Sequence, residues 1–245
     1  MGNGASMAQQ QVSKVTGAAQ LLPAPPPNAD ETRLRQCARL TAHCLDGEDD
    51  VHVTRFLLAG SAFVAFVESL GGFAAHTAGE IKGNLTAILN QSRGASHMRD
   101  LLHKEKASGK HDDVHGAESR RDITAPYADD SAAMGVFWVV LSMRYWECVC
   151  IERRNLAAAN YTATSLRQSL ENGTERVLRK HMGGIGFSAV QTLAVNCAPE
   201  WEELRAMIVA PGGVDAEFVA VRRFWFRSSD LWVYCPHSRR TPALR

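Results

Sequence analysis

Apolar residues along most of the chain recur at the three- and four-residue spacing of helices that bury one face. This spacing predicts helices over residues 34–45 and 53–70, and the pair Gly71-Gly72 marks the end of the second. A third helix is predicted over residues 81–89. Residues 134–153 are apolar on nearly all sides, which is typical of a central, buried helix.

The second half of the chain continues the helical pattern after one interruption. Residues 109–130 are polar and have no apolar period, so they are predicted to form a surface loop. Amphipathic or apolar helices are predicted over residues 166–180, 185–197 and 200–209. No alternation typical of a strand stands out before residue 210, and the predicted fold class is all-α.

The composition divides the 245 residues into three parts. Residues 1–30 carry little charge and a Pro-rich run at 23–27, which predicts a disordered tail. Residues 31–210 are predicted to form one helical domain, and the segment 211–245 gives no clear pattern.

The charge balance bears on the possible partners, and the cysteine spacing bears on the compartment. The 27 Lys and Arg residues nearly balance the 26 Asp and Glu residues, so no strong field favours nucleic acid, and no nucleic-acid partner is expected. The six Cys residues include no CxxC pair, which favours free thiols in a reducing compartment. The N-terminus lacks the pattern of a secretory signal, and the expected location is therefore cytoplasmic.

The two longest apolar runs do not favour a membrane span. Residues 56–67 are too few to cross a bilayer. Residues 134–151 contain Arg144 and Glu147, which are costly in lipid. Both runs are predicted to be helices of a soluble core.

Few residues offer enzyme chemistry. His111 and His115 have the spacing of zinc ligands on a helix, but Asp112 stands where the general-base Glu of that pattern belongs. Their polar, Gly-containing surroundings favour a surface loop. The sequence also lacks a nucleophile elbow and a Walker phosphate loop. No metal, cofactor or enzymatic activity is expected.

Four polar or aromatic residues lie on helices that are otherwise apolar. Glu80 and Asn84 share one helix face, near the apolar residues Phe63, Phe66, Val67 and Ile88. Trp138 lies in the most apolar helix, and His181 precedes an apolar segment. The pattern alone is also compatible with a solvated face at Glu80 and Asn84, a core indole at Trp138 and a helix-end cap at His181.

Four segments in order resemble the glycolipid transfer protein family. They are FLLAGSAFVAFVESLGG…GEIKGNLTAIL (56–89), LLHKEK (101–106), FWVVLSMRYWECV (137–149) and RKHMGGIGFSAVQTLAVNCAP (179–199). The resemblance covers residues 51–209. It implies a two-layer sandwich of about eight helices that encloses a hydrophobic lipid pocket, with Phe63, Phe66, Val67 and Ile88 expected among its lining.

The resemblance also implies a head-group site at the mouth of this pocket. Glu80 stands where the family has an Asp that accepts hydrogen bonds from the ceramide amide and the first sugar. Asn84 matches the Asn that bonds sugar hydroxyls. Trp138 matches the Trp that stacks on the sugar ring, and His181 matches the His that donates to the ceramide carbonyl.

Three positions depart from the family pattern. Ala87 replaces a Lys, Glu80 replaces the shorter Asp, and Gly183 replaces a Trp. Relatives that carry ceramide-1-phosphate have a cation where this chain has Trp138, and Leu141 follows one turn later. A neutral glycosylceramide is therefore favoured over a phosphorylated ceramide.

The function implied is that of a monomeric, non-enzymatic carrier that moves a sphingolipid between membranes and touches a membrane surface transiently. The alternatives are a lipid sensor or adaptor that binds without transfer, and a ceramide-1-phosphate carrier. The expected location is cytoplasmic and peripheral to membranes.

The start MGNGAS fits the pattern for N-myristoylation at Gly2. We expect cells supplied with labelled myristate to incorporate the label into the wild-type chain and not into Gly2→Ala, because the acyl chain is attached to the glycine nitrogen. Label in both proteins, or in neither, would contradict the prediction. One acyl chain gives only marginal, reversible membrane attachment.

Overall fold

The computed structural model describes residues 20–29, 31–46, 50–111, 128, 130–158, 166–179, 181–182, 187–188, 190–192 and 200. These residues are mostly helical, with almost no strand, and the all-α prediction is confirmed. The α-helices are α1 (Arg33–Ala42), α2 (Val53–Ser69), α3 (Ala75–Gln91), α4 (Met98–Ala107), α5 (Ala132–Ala158) and α6 (Arg167–Gly173). A 3-10 turn (Gly72–Ala74) precedes α3, and a π turn (Thr174–Leu178) follows α6.

The first helix is shorter than its apolar spacing predicts. Thr32 caps the start of α1 by accepting a hydrogen bond from the Arg35 N–H, and α1 ends at Ala42. Beyond it, β1 (Leu45–Asp46) pairs with β2 (Asp50–Val51) as a small antiparallel hairpin. Leu45 therefore belongs to a strand, and its helical assignment is wrong because its backbone lies opposite Val51.

The helix α5 lies at the centre of the described structure. It packs against α3, α4, α6 and the π turn, while α2 packs between α1 and α3. The largest fully buried side chains come mainly from α2, α3 and α5; they are Phe56, Phe63, Phe66, Leu70, Ile81, Leu85, Ile88, Met98, Leu101, Leu141, Met143 and Leu166. The predicted central helix thus forms the core, and it is longer than residues 134–153.

Part of α5 is long and apolar enough to cross a membrane by length and composition. This part is Ala132–Arg153, and 67% of the tested window is buried inside the protein. Burial against neighbouring helices satisfies its apolar surface without lipid, which agrees with its prediction as a core helix.

The start of α5 is capped by a side chain from another helix. The buried Glu105 of α4 accepts hydrogen bonds from the N–H groups of Ala132 at 2.6 Å and Ala133 at 2.9 Å. The Ser131 hydroxyl accepts from the Met134 N–H at 3.0 Å. These bonds satisfy donors that a helix start otherwise leaves open, and they join α4 to α5.

Residues 20–29 lie against the helical body. The Leu22 carbonyl accepts a hydrogen bond from the Ser61 hydroxyl at 2.8 Å, and the Pro25 carbonyl accepts one from Gln36 Nε2 at 2.6 Å. Contact with the body therefore begins before residue 31, earlier than the predicted domain boundary.

The helices α3 and α5 approach closely at Gly135. A β-carbon built there would lie 2.6 Å from the Asn84 carbonyl oxygen and 2.9 Å from Ile88 Cγ1. We expect Gly135→Ala to lower the free energy of unfolding by about 1–3 kcal/mol, because a backbone oxygen cannot move aside as a side chain can. Urea denaturation measures this change.

Gly83→Ala on α3 is the matched control. A β-carbon there meets nothing within 4 Å, so the same substitution should raise stability by about 0.5–1 kcal/mol through helix propensity. Equal stability of the Gly135→Ala variant and the wild type would contradict the close approach.

Candidate functional site

Two of the predicted site residues lie on α3 and differ in their surroundings. Glu80 and Asn84 are one turn apart on the same side of the helix, as predicted. Asn84 is half-buried, and its backbone carbonyl faces Gly135 of α5. The Glu80 side chain is 64% exposed, and its carboxylate lies 3.4 Å from His76 Nε2. In this structure Glu80 is therefore part of a solvated face.

The other two predicted residues meet through Phe137. The Phe137 ring lies edge-on to the Trp138 ring, with centroids 5.3 Å apart, and edge-on to the His181 ring at 5.2 Å. Such perpendicular ring pairs are favourable arrangements of aromatic quadrupoles. Phe137 is buried, while Trp138 and His181 are half-buried at its two sides. His181 is positioned by the turn after the π segment, where its N–H donates to the Leu178 carbonyl at 2.8 Å.

The structure brings Trp138 and His181 together through Phe137. It places the Asn84 backbone beside Gly135 on the same half of α5. Gly135 and Phe137 are two positions apart and do not share a side of the helix. Asn84 and His181 therefore lie against different sides of α5. Glu80 lies one turn before Asn84, with its carboxylate directed to His76. The binding roles of the four residues stay predictions.

The predicted lining residues are all core residues. Phe63, Phe66, Val67 and Ile88 are each 0–1% exposed and belong to the continuous apolar cluster. Phe66 packs edge-on against Trp146 of α5, with ring centroids 6.0 Å apart. They form the apolar interior beside the candidate site, and their contact with lipid chains stays a prediction.

Position 87 of α3, where the sequence resemblance implies a Lys, carries an uncharged side chain. Ala87, at the position of that Lys, is half-buried, and the lysine of α3, Lys82, forms an ion pair with Glu68 on α2. This pairing draws the Lys82 ammonium toward α2.

His111 takes part in a structural contact. Its Nε2 lies 3.5 Å from the Glu105 carboxylate, and its Nδ1 accepts a hydrogen bond from the Ala128 N–H at 3.3 Å. His115 lies outside the described residues. Among the residues that the structure describes, no group of three or more His, Cys, Asp or Glu side chains is placed to hold a metal ion.

The helix α5 also carries a half-buried carboxyl group that sequence reasoning did not assign. Burial raises the pKa of Glu147 from 4.5 to about 7, and the nearby Arg144 guanidinium opposes part of this rise. Arg144 lies three residues earlier, on the same side of the helix. The sequence does show that Arg144 and Glu147 lie within an apolar run. It does not show how deeply each side chain is buried, because burial depends on the helices that pack against α5.

Two further residues of the site were missed for similar reasons. Phe137 looks like any core aromatic in the sequence, yet it joins Trp138 to His181. Glu105 looks like a surface residue of an amphipathic helix, yet it caps α5. Gly2 and residues 211–245 lie outside the described residues.

Comparison with known proteins finds similar structures but no family model or curated protein that matches the sequence. Mouse ceramide-1-phosphate transfer protein has a similar structure, with a TM-score of 0.64 over 83% of this chain and 93% of that chain, at 10% identity.

Two further solved structures are similar over comparable lengths. A mutant of Arabidopsis ACD11 complexed with C12 ceramide-1-phosphate gives a TM-score of 0.62 at 17% identity, over 84% of this chain and 93% of that one. FAPP2, described as selecting simple glycosphingolipids with the GLTP-fold, gives 0.60 at 16% identity, over 79% and 87%. This chain therefore has the glycolipid transfer protein fold, and the fold expected from the four sequence segments is confirmed.

The buried carboxyl of Glu147 predicts a pH-dependent stability. Its pKa is about 7 in the native state and 4.5 ordinarily, so the native state holds this proton more tightly than the unfolded chain does. The stability it contributes is fully present below pH 4.5 and is lost as the pH rises through about 7. We expect wild type to lose roughly 3 kcal/mol relative to Glu147→Gln over this range.

Urea denaturation of both proteins at about pH 5 and about pH 8 measures this difference. The curves should nearly coincide at the lower pH, and the variant should be more stable at the higher one. A difference between the proteins that does not change with pH would contradict the burial of Glu147.

Proposed function

We propose that this chain is a non-enzymatic carrier that moves a sphingolipid between membranes. The observation that carries the proposal is the glycolipid transfer protein fold, in which Asn84, Trp138 and His181 lie along the N-terminal half of α5. Proteins with similar structures are named for ceramide-1-phosphate transfer or described as selecting glycosphingolipids. Lipid transfer breaks no covalent bond, so the chain needs no catalytic group.

The chemistry of the three side chains suits a sphingolipid. An amide, an indole and an imidazole supply hydrogen-bond donors and acceptors for an amide and for hydroxyl groups. Trp138 adds a flat face on which a sugar ring can stack. Because these groups lie beside an apolar core, a lipid without matching polar groups would leave them unpaired at a cost of about 1–3 kcal/mol each.

A neutral glycosylceramide is the substrate class we favour. Ala87 and Leu141 supply no charge, and Lys82 is already paired with Glu68. A phosphate group is bound best by charge-assisted hydrogen bonds from cations, which this face of α3 does not present.

Ceramide-1-phosphate is the second candidate substrate. The mouse transfer protein is named for it, and ACD11 is complexed with it. A sensor or adaptor would bind the same lipid and not exchange it, and kinetics separate that role from a carrier.

The proposal also covers the oligomeric state, the location and the membrane contact of the carrier. The carrier acts as a monomer in the cytoplasm, is peripheral to membranes, and touches their surface only to load and unload. Two apolar chains removed from water contribute about 25 cal/mol per Å² to retention of the lipid between membranes.

Vesicle-to-vesicle transfer of fluorescent glucosylceramide tests the function. We expect wild type to accelerate transfer, and Asn84→Ala, Trp138→Ala and His181→Ala each to reduce the rate by about tenfold or more, because each loses head-group contacts worth about 1.4 kcal/mol. Native mass spectrometry should show one bound glycosylceramide for wild type and a reduced amount for all three variants.

Two exposed residues give matched controls. Asn90→Ala removes an amide from the exposed face of the same helix α3, and His103→Ala on α4 is the control for His181→Ala. Both controls should transfer at the wild-type rate. Binding without transfer would favour the sensor, preferential binding of ceramide-1-phosphate would favour the second substrate, and absence of any bound sphingolipid would overturn the proposal.

A further inference from the structure

The Pro-rich segment before α1 presents one regular face to solvent. Along residues 20–29, positions three apart share their exposure in two of the three registers. Gln20, Pro23, Pro26 and Ala29 are exposed, while Leu21, Ala24 and Pro27 are half-buried. The third register is mixed, because Leu22 and Asn28 are exposed and Pro25 is half-buried. A period of three is the period of the polyproline II helix, which has three residues per turn.

The residue types require the same conformation. Every residue from 22 to 27 is a proline or directly precedes one. Proline fixes φ near −65°, and the residue before a proline is confined to extended or polyproline II geometry. The segment thus loses little conformational entropy when it is held in this form.

The helical body holds the opposite side of the segment. The carbonyls of Leu22 and Pro25, one polyproline II turn apart, accept hydrogen bonds from Ser61 on α2 and Gln36 on α1. Leu21 packs against the apolar core. These contacts set which side of the segment faces outward.

The outward side is apolar. Leu22 is 49% exposed. Within the part of the chain that the structure describes, no other large hydrophobic residue is exposed. Pro23 and Pro26 are exposed beside it. In a helix of three residues per turn, positions 22, 23 and 26 lie on two adjacent ridges, and position 24 lies on the third ridge, where Ala24 is half-buried.

We propose that Leu22, Pro23 and Pro26 form a docking surface for a protein domain with an aromatic-lined groove that reads polyproline II ligands. Domains of the EVH1, SH3 and WW classes bind such proline ridges, and a preformed ligand helix lowers the entropic cost. Residues 20–29 contain no Lys or Arg, so the segment favours a groove that needs no basic anchor. The proposal does not depend on the lipid that the chain carries.

The test uses the full chain and a panel of purified EVH1, SH3 and WW domains, with binding measured by titration calorimetry. We expect at least one domain to bind, and the double variant Pro23→Ala, Pro26→Ala to weaken binding by about tenfold or more, as does Leu22→Ser. Pro27→Ala is the matched control, because Pro27 is half-buried on the same ridge as Ala24, and it should bind like wild type.

A second measurement compares the full chain with a synthetic peptide of residues 20–29. The full chain should bind at least as tightly, because the body already holds the segment in its bound form. Binding by the peptide alone would mean that the body hides the surface, and would overturn the proposal. Binding by no domain would also overturn it, and if Leu22→Ser then weakened attachment to phosphatidylcholine vesicles, the segment would be a membrane contact.

Discussion

The burial of most of α5 among its neighbouring helices is the constraint on which the other elements depend. A helix that is apolar all round is stable in water only when other elements cover it, so α3, α4, α6 and the π turn each lie against it. The close contact at Gly135 brings the backbone of α3 against α5, and it thereby places Asn84 beside α5. The position of the candidate site therefore follows from how the central helix is covered.

The elements with a strong local period were predictable from the sequence, and those decided by distant contacts were not. Residues 134–153 indicate a central helix because apolar side chains occur at nearly every angle around it. The start of α5 depends on Glu105, which lies 27 positions before Ala132, and no local pattern reveals such a cap. Leu45 fits a helical spacing, but its pairing with Val51 depends on a turn whose geometry that spacing does not contain.

In the candidate site, too, the features set by local spacing were predictable and those set by distant contacts were not. The one-turn spacing of Glu80 and Asn84 and the place of Trp138 in an apolar helix could be read directly. The link between Trp138 and His181 passes through Phe137, and it depends on how the chain after α6 returns to α5. The orientation of Glu80 depends on its neighbour His76, a pairing that competes with any inward role for the carboxylate. Composition predicted residues 1–30 to be a Pro-rich, disordered tail, but the hydrogen bonds that hold residues 20–29 come from Ser61 and Gln36 on helices elsewhere in the chain.

The cap on α5 has a consequence for the recognition of anions. The start of a helix attracts phosphate because its N–H groups and dipole point toward the anion. Here the N–H groups of Ala132 and Ala133 are bonded to the Glu105 carboxylate, and that of Met134 is bonded to Ser131. The positive end of the central helix is thus already neutralised by a carboxylate of the protein itself, and any anion near this end of α5 has to be balanced by cationic side chains alone.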